Sequence, residues 1–308
     1  MRRYLLLMCL LAAAPAHAGW LTERLAARLE AQMQEQDAVP WRLRQPGIAT
    51  QAGLAYGADA RQQMDAYWPQ AGVQGMPVIV MVHGGAWRTG SRQSAAVVAA
   101  KVGRWVPQHM VLVSLDYRLL PQAAPLQQAQ DVAAALAWVQ QQAPRWGGDG
   151  RKVVLMGHSA GAHLVALLTA SRPLQQAAGL QPWLGTVALD SAAYDVPALM
   201  QRRHFRFYDQ AFGADPAGWP AVSPLAQLQQ PMPPLLAVCS QQRPDKPCDE
   251  ASRFVARARQ LGGRAELLPV ARSHRDINAT LGSDDGYTRA VEAFMAGLDP
   301  ALASRLRP

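Results

Sequence analysis

Six short apolar runs, at residues 78–82, 111–115, 153–156, 186–189, 235–238 and 265–270, alternate with segments that carry helical spacing. Each run is strand-length and bounded by turn residues. Segments 91–105, 131–142, 160–170, 250–261 and 288–298 read as helices, the second with Val132, Leu136 and Val139 on one face. Strands that are continuously apolar must be covered on both sides, so the pattern predicts a mainly parallel sheet between two helical layers, an α/β fold. Residues 194–230 break the alternation with aromatic, basic and proline residues and read as an insertion at the mouth of a site. Half of the 308 residues are apolar and 17% are charged, with Pro and Gly scattered rather than clustered, which suits one continuous domain with a large core.

The first eighteen residues stand apart. Arg2 and Arg3 precede an apolar stretch over 5–14, and Ala16-His17-Ala18 has the small-x-small form of a secretory cleavage site. The expected mature chain is a single domain over 19–308, periplasmic or secreted. Pro15 and His17 stop the apolar run well short of the roughly 20 residues of a membrane span, so no stable membrane insertion is expected after cleavage. Cys9, inside the run, lacks a preceding small residue and does not read as a lipid attachment site. Beyond the leader, Leu21, Leu25, Leu29 and Met33 form the stripe of a helix expected to pack on the domain as part of a small cap with the 194–230 insertion.

Removing the leader leaves 28 Lys and Arg against 22 acids and two cysteines, Cys239 and Cys248. An even pair nine positions apart in an exported chain reads as a disulfide, whose loop-closure entropy is worth about 2.7 kcal/mol. The arginines are dispersed rather than gathered in a stripe, so nucleic acid is not an expected partner. The pattern carries no signal for oligomeric state.

Gly157-His158-Ser159-Ala160-Gly161 joins the 153–156 strand directly to the 160–170 helix. A tight strand-to-helix turn exposes a serine hydroxyl as a nucleophile, and the helix N-terminus offers unpaired N–H groups where negative charge develops. His83-Gly84-Gly85-Ala86-Trp87 follows the 78–82 strand in the same way, so the amides of Gly84, Gly85 and Ala160 are candidates for an oxyanion hole. A serine nucleophile needs a base and an acid to orient it. Of the seven histidines, His17 leaves with the leader, His109 begins a predicted strand, His204 lies in the insertion, His158 and His163 flank the serine, and His83 sits with the glycines. His274, just after the last predicted strand, is the candidate base. For the acid, the loop after the 235–238 strand offers Asp245, Asp249 and Glu250. Asp249 reads as a helix N-cap, so Asp245, enclosed by the expected Cys239–Cys248 bridge, ranks first, with Asp190 as its competitor. No zinc motif and no phosphate-cradling loop is present, so neither metal nor cofactor is expected.

Taken in order, these residues resemble the α/β-hydrolase superfamily, in its esterase/lipase branch of hormone-sensitive-lipase-like carboxylesterases and kynurenine-formamidase-like enzymes. Met64-Asp65-Ala66-Tyr67-Trp68-Pro69 resembles the family's D-x-Y-x-P strand, and His83-Gly84-Gly85 its HGG oxyanion loop. Asp116-Tyr117-Arg118-Leu119-Leu120-Pro121 resembles its DYRLAP segment, and 157–164 is especially similar to the formamidase-like elbow. The resemblance spans residue 55 to the C-terminus. It implies Ser159 as nucleophile, His274 as base and an acid between them, with Asp245, Asp249 and Glu250 similar to the DPLxDE acid motif. It departs at Ala86, where the third glycine of HGGG would stand, and in a longer, cysteine-bearing acid loop. The implied activity is hydrolysis of small carboxylic esters through an acyl-enzyme, with an aryl formamidase or other amide hydrolase, or a silent binding protein on the same fold, as the alternatives. Intact mass of protein recovered from outside the cytoplasm should correspond to a chain starting at Gly19; a chain retaining Met1 would contradict the leader.

Overall fold

The computed structural model describes residues 45–306. The leader and the 21–33 helix lie outside the described residues. Eight strands form one sheet: β1 Ile48–Ala55, β2 Gln63–Pro69, β3 Met76–Val82, β4 Val111–Leu115, β5 Gly148–His158, β6 Gly185–Leu189, β7 Leu235–Ser240 and β8 Ala265–Val270. Their spatial order is β1-β2-β4-β3-β5-β6-β7-β8. β1 pairs antiparallel with β2 and β2 with β4, while every other pair is parallel.

All six expected apolar runs are strands, and β5 extends well beyond its 153–156 core. The alternation within each strand divides the core into two layers. Val78, Val80, Val82, Val153 and Leu155 face the layer holding the Pro125–Gln142 and Ala160–Ala170 helices. Ile79, Met81, Val154 and Met156 face the Ala95–Trp105 and Gly286–Ala296 helices. This is the both-faces coverage that continuous apolar strands require. The β1 strand escapes an apolar-run reading because it is an exposed edge: of IATQAGLA, only Ile48 is buried.

β3 is flanked by β4 on one side and β5 on the other, so the chain leaves these central neighbours in opposite directions across the sheet. The crevice beyond their carboxyl ends is the usual binding position in an open α/β sheet. Residues 194–230 lie over that edge as short helices at Val196–Met200, Arg206–Phe212 and Pro224–Gln227 and a 3-10 segment at Pro216–Val222. Among the described residues no helix is long and apolar enough to cross a membrane.

Two local expectations are corrected. His109 does not begin a buried strand; it is exposed, in a turn with φ 57° just before β4. Asp249 is not an N-cap either, because Pro247 starts the helix early and Lys246 takes the cap position. Leu155 is fully buried at the centre of β5. Leu155→Ala should lower unfolding free energy by about 2–5 kcal/mol, read from chemical denaturation midpoints, because the close-packed layers can collapse only partly into the gap.

Candidate active site

The sharp turn at the end of β5 holds Ser159 at φ 56° and ψ −118°, a conformation that costs a non-glycine residue about 1–3 kcal/mol. Two backbone hydrogen bonds hold it there: Ser159 N–H donates to the Leu189 carbonyl at 2.9 Å, and His163 N–H to the Ser159 carbonyl at 3.0 Å. The flanking glycines are required by contact. A Cβ on Gly157 would lie 2.4 Å from the Gly161 carbonyl oxygen, and one on Gly161 would lie 2.4 Å from both the Val82 and His83 carbonyl oxygens. The turn thus presses directly against the end of β3.

That pressure sets the position of the His83-Gly84-Gly85 loop. A Cβ on Gly84 would come within 2.9 Å of the Ser159 Cβ, so the loop passes directly over the serine. Among the described residues the N–H groups of Gly84 and Gly85 have no hydrogen-bond partner. Ala160, as the first helical residue, contributes one of the N–H groups a helix leaves unpaired. Gly84, Gly85 and Ala160 line one cavity together with Ser159 and His274.

Beneath the loop is a buried polar cluster that joins three sequence motifs. His83 stacks on Tyr117, with ring centroids 4.5 Å apart, and its Nε2 lies 3.3 Å from Asp116 Oδ1. Arg92 donates to Asp65 Oδ1 at 2.8 Å from Nε, to Asp116 from Nη1, and to Asp116 Oδ1 at 2.6 Å from its backbone N–H. Burial alone would raise the Asp116 pKa; His83 and Arg92 outweigh it and hold the carboxyl below its ordinary value. The D-x-Y and DYR motifs are therefore the footing of the HGG loop.

His274 opens a short helix immediately after β8 and turns its ring toward the serine. Ser159 Oγ lies 2.9 Å from His274 Nε2. On the far side, His274 Nδ1 lies 2.6 Å from Asp190 Oδ2. A carboxylate only accepts, so Nδ1 carries the proton and Nε2 is left to accept from the serine. Burial alone would raise the Asp190 pKa, but the His274 contact, the Arg243 charge and the Ser240 N–H, 2.8 Å from Oδ1, hold it well below the ordinary carboxylate range.

Asp245 is the expectation that fails. It does not touch His274, because Arg243, two residues earlier, captures it: Nε donates to Asp245 Oδ1 at 3.0 Å and Nη2 to Oδ2 at 2.5 Å. Asp190 sits one residue beyond the end of β6 at φ 61°, and this turn directs its fully buried side chain back to the imidazole. Its signal in the sequence was its place, directly after a strand that ends at the same edge as β3 and β5. The Cys239–Cys248 disulfide is present and closes the loop that carries Arg243 and Asp245.

The cavity is about 430 Å³. Trp87, from the glycine loop, and Phe205, Phe207 and Tyr208, from the 194–230 insertion, form its aromatic wall. Trp87 Nε1 donates to His163 Nδ1 at 3.2 Å, and His163 Nε2 meets the Val222 carbonyl at 2.8 Å. Burial pushes His163 down to about 4, so it is neutral near pH 7 and joins the serine's helix to the glycine loop through Nδ1 and to the insertion through Nε2.

A strained serine at a strand-to-helix turn, in reach of an imidazole delivered by the last strand of a sheet ordered in this way, defines an α/β-hydrolase. Comparison with known proteins agrees. A BD-FAE family model matches residues 64–194. The isoprenylcysteine alpha-carbonyl methylesterase ICME of Arabidopsis thaliana is 26% identical over 73% of this chain and 56% of its own length. Esterase LipC of Mycobacterium tuberculosis is 31% identical over 68% of this chain and 55% of its own. The chain spans about half the length of these curated relatives. Among solved structures, esterase B of Lactobacillus rhamnosis is similar at TM-score 0.66 and 20% identity over 94% of each chain. Esterase Est2 of Thermogutta terrifontis is similar at TM-score 0.65 and 22% identity over 84% of this chain and 94% of its own. These likenesses point to the esterase/lipase branch of the α/β-hydrolase superfamily.

The two aspartates give opposite expectations. Asp190→Asn should lower kcat by about 10⁴-fold, since an amide can donate to Nδ1 and favour the wrong tautomer. Asp245→Asn should stay within about tenfold of the parent on the high-pH plateau, because the group it loses is an arginine's partner rather than the imidazole's. Steady-state rates on one aryl ester decide between them.

Proposed function

We propose that the protein is an exported serine hydrolase that cleaves carboxylic esters through an acyl-enzyme. The observation that carries the reading is the unbroken line from Ser159 Oγ to His274 Nε2 at 2.9 Å and from His274 Nδ1 to Asp190 Oδ2 at 2.6 Å. In the first half-reaction Ser159 attacks the ester carbonyl while His274 takes its proton, and Asp190 steadies the imidazolium that forms. The N–H groups of Gly84, Gly85 and Ala160 receive the oxyanion, each such donor being worth about 2.7–4 kcal/mol of the barrier. His274 then protonates the departing alcohol. Water, deprotonated by the same imidazole, attacks the acyl-serine and releases the acid.

The relatives support this choice of reaction. Two curated relatives carry the names esterase and methylesterase, and a structure of esterase B is described as inhibited by a tributyrin phosphonate. The cavity's aromatic wall and limited volume suit a small ester with an apolar or aryl group. Export is supported by the leader pattern and is in keeping with the paired cysteines.

A fluorophosphonate probe should add one label to the folded protein, at Ser159, and Ser159→Ala should take up none while retaining its circular dichroism. A graded panel of aryl esters should turn over faster than formyl-anilides. Exclusive amide turnover would move the assignment to the formamidase-like reaction, and an unlabelled Ser159 in folded protein would remove the enzyme reading altogether.

A further inference from the structure

The loop after β7 brings a guanidinium into the line of catalytic groups. Arg243 is mostly buried, and its Nη1 lies 3.0 Å from Asp190 Oδ2, 3.1 Å from the Asp190 carbonyl oxygen and 3.0 Å from His274 Nδ1. Nη1 and the protonated Nδ1 are both donors, so no hydrogen bond joins them; they meet through the carboxylate oxygen they share. The other edge of the guanidinium is held by Asp245. Serine, histidine, aspartate, arginine and a second aspartate thus form one alternating chain, and Asp190 divides its charge between an imidazole and a permanent cation.

We propose that Arg243 is a positioning residue that makes His274 a weaker base by drawing on Asp190, and that Asp245 sets how strongly it does so. The proposal rests on the reading of Ser159, His274 and Asp190 as one catalytic line. A positive charge this close to Nδ1 disfavours the imidazolium, while the carboxylate between them favours it. Asp245 offsets part of the guanidinium's charge. The consequence is a histidine that stays neutral, and so able to accept the serine proton, to lower pH than the imidazole–carboxylate pair alone would allow.

The other groups around the ring do not reproduce this effect. From β5, the His158 ring lies 4.5 Å away, centroid to centroid, and its Nε2 meets the His274 carbonyl oxygen at 2.9 Å. Burial first, and the His274 charge second, hold His158 well below the ordinary imidazole value, so it stays neutral. On the adjacent helix Lys101 donates to the Asn278 carbonyl and Oδ1 at 2.7 and 2.8 Å, at the end of His274's own helix rather than at its ring. Arg272 is paired with Asp285, and Asp276 with Ser273. Arg275 is exposed. The Tyr208 phenol, from the insertion, sits beside Arg243, with burial first among the causes that hold it protonated.

The test uses the full protein with labelled histidine, following the His274 ring by NMR through a pH titration beside the pH profile of kcat/KM on an aryl ester. Arg243→Gln should raise the His274 midpoint by about one pH unit and carry the acid limb of kcat/KM with it, while the plateau above both midpoints changes far less. Arg243→Lys should return the midpoint toward the parent value. Asp245→Asn should move it the opposite way, downward and by less. A midpoint unmoved or lowered in Arg243→Gln, or shifted in the same direction by both changes, overturns the proposal. If Arg243→Gln does not fold, Asp245→Asn decides: a fall supports the proposal, and no change or a rise overturns it. Variants that shift as expected by NMR, beside a parent that hydrolyses no ester, would defeat the esterase reading and leave the tuning of His274 standing.

Discussion

The contact between the Ser159 turn and the end of β3 is the constraint on which the site depends. Gly161 lets the new helix begin within van der Waals reach of the Val82 and His83 carbonyls, and Gly84 lets the loop above close over the serine. Neither approach tolerates a side chain. Because β3 and β5 are parallel neighbours in exact register from Val78 and Val153 to Val82 and Gly157, their ends arrive at the same height, and the loop amides and the hydroxyl are set against one another without a hinge. The strain at Ser159 is supported by the fully buried strands on either side of it.

A second layer of organisation lies under the loop. Asp65, Arg92, Asp116 and His83 come from separate segments of the chain, yet they form one buried polar cluster. An unpaired charge there would be costly, so each member requires the others, and the cluster acts as a rigid base for the oxyanion amides. The insertion is tied in by different means. His163 links the serine's helix to Trp87 and to Val222, and Trp87 stands edge-on to Phe212 at 5.0 Å between ring centroids. The cavity wall is thereby fixed to the same helix that carries the nucleophile.

Much of this was legible before any coordinates. The buried strands and their helices follow from apolar runs and helical spacing, because burial on both faces leaves no polar residue to blur the pattern. The serine elbow and the HGG loop could be read because each is a local device, a strand followed by a tight turn whose demands fall on adjacent residues. His274 could be reached by elimination and by its place after the last strand. β1 could not, since an edge strand has little apolar surface to declare itself. The aspartate behind the imidazole is harder to pick for a related reason: Asp245, Asp249 and Glu250 crowd one loop, and place along the chain does not rank them. Arg243, two residues before Asp245, is the one local sign that this carboxylate is already paired.

The layered α/β plan, the serine on its strained turn with its glycine-lined surroundings, and the histidine that faces it could be read from the chain alone, since each is encoded within a few consecutive residues or in a period. Which aspartate meets the imidazole came from packing. Asp190 and Arg243 belong to different strand ends, and the one that meets the imidazole is chosen by the register of β6 against β7 and by the φ of 61° that turns Asp190 inward. The same packing gave Asp245 to Arg243 rather than to His274, because a charge-assisted pair two residues apart forms at a shorter reach than a contact across the sheet edge.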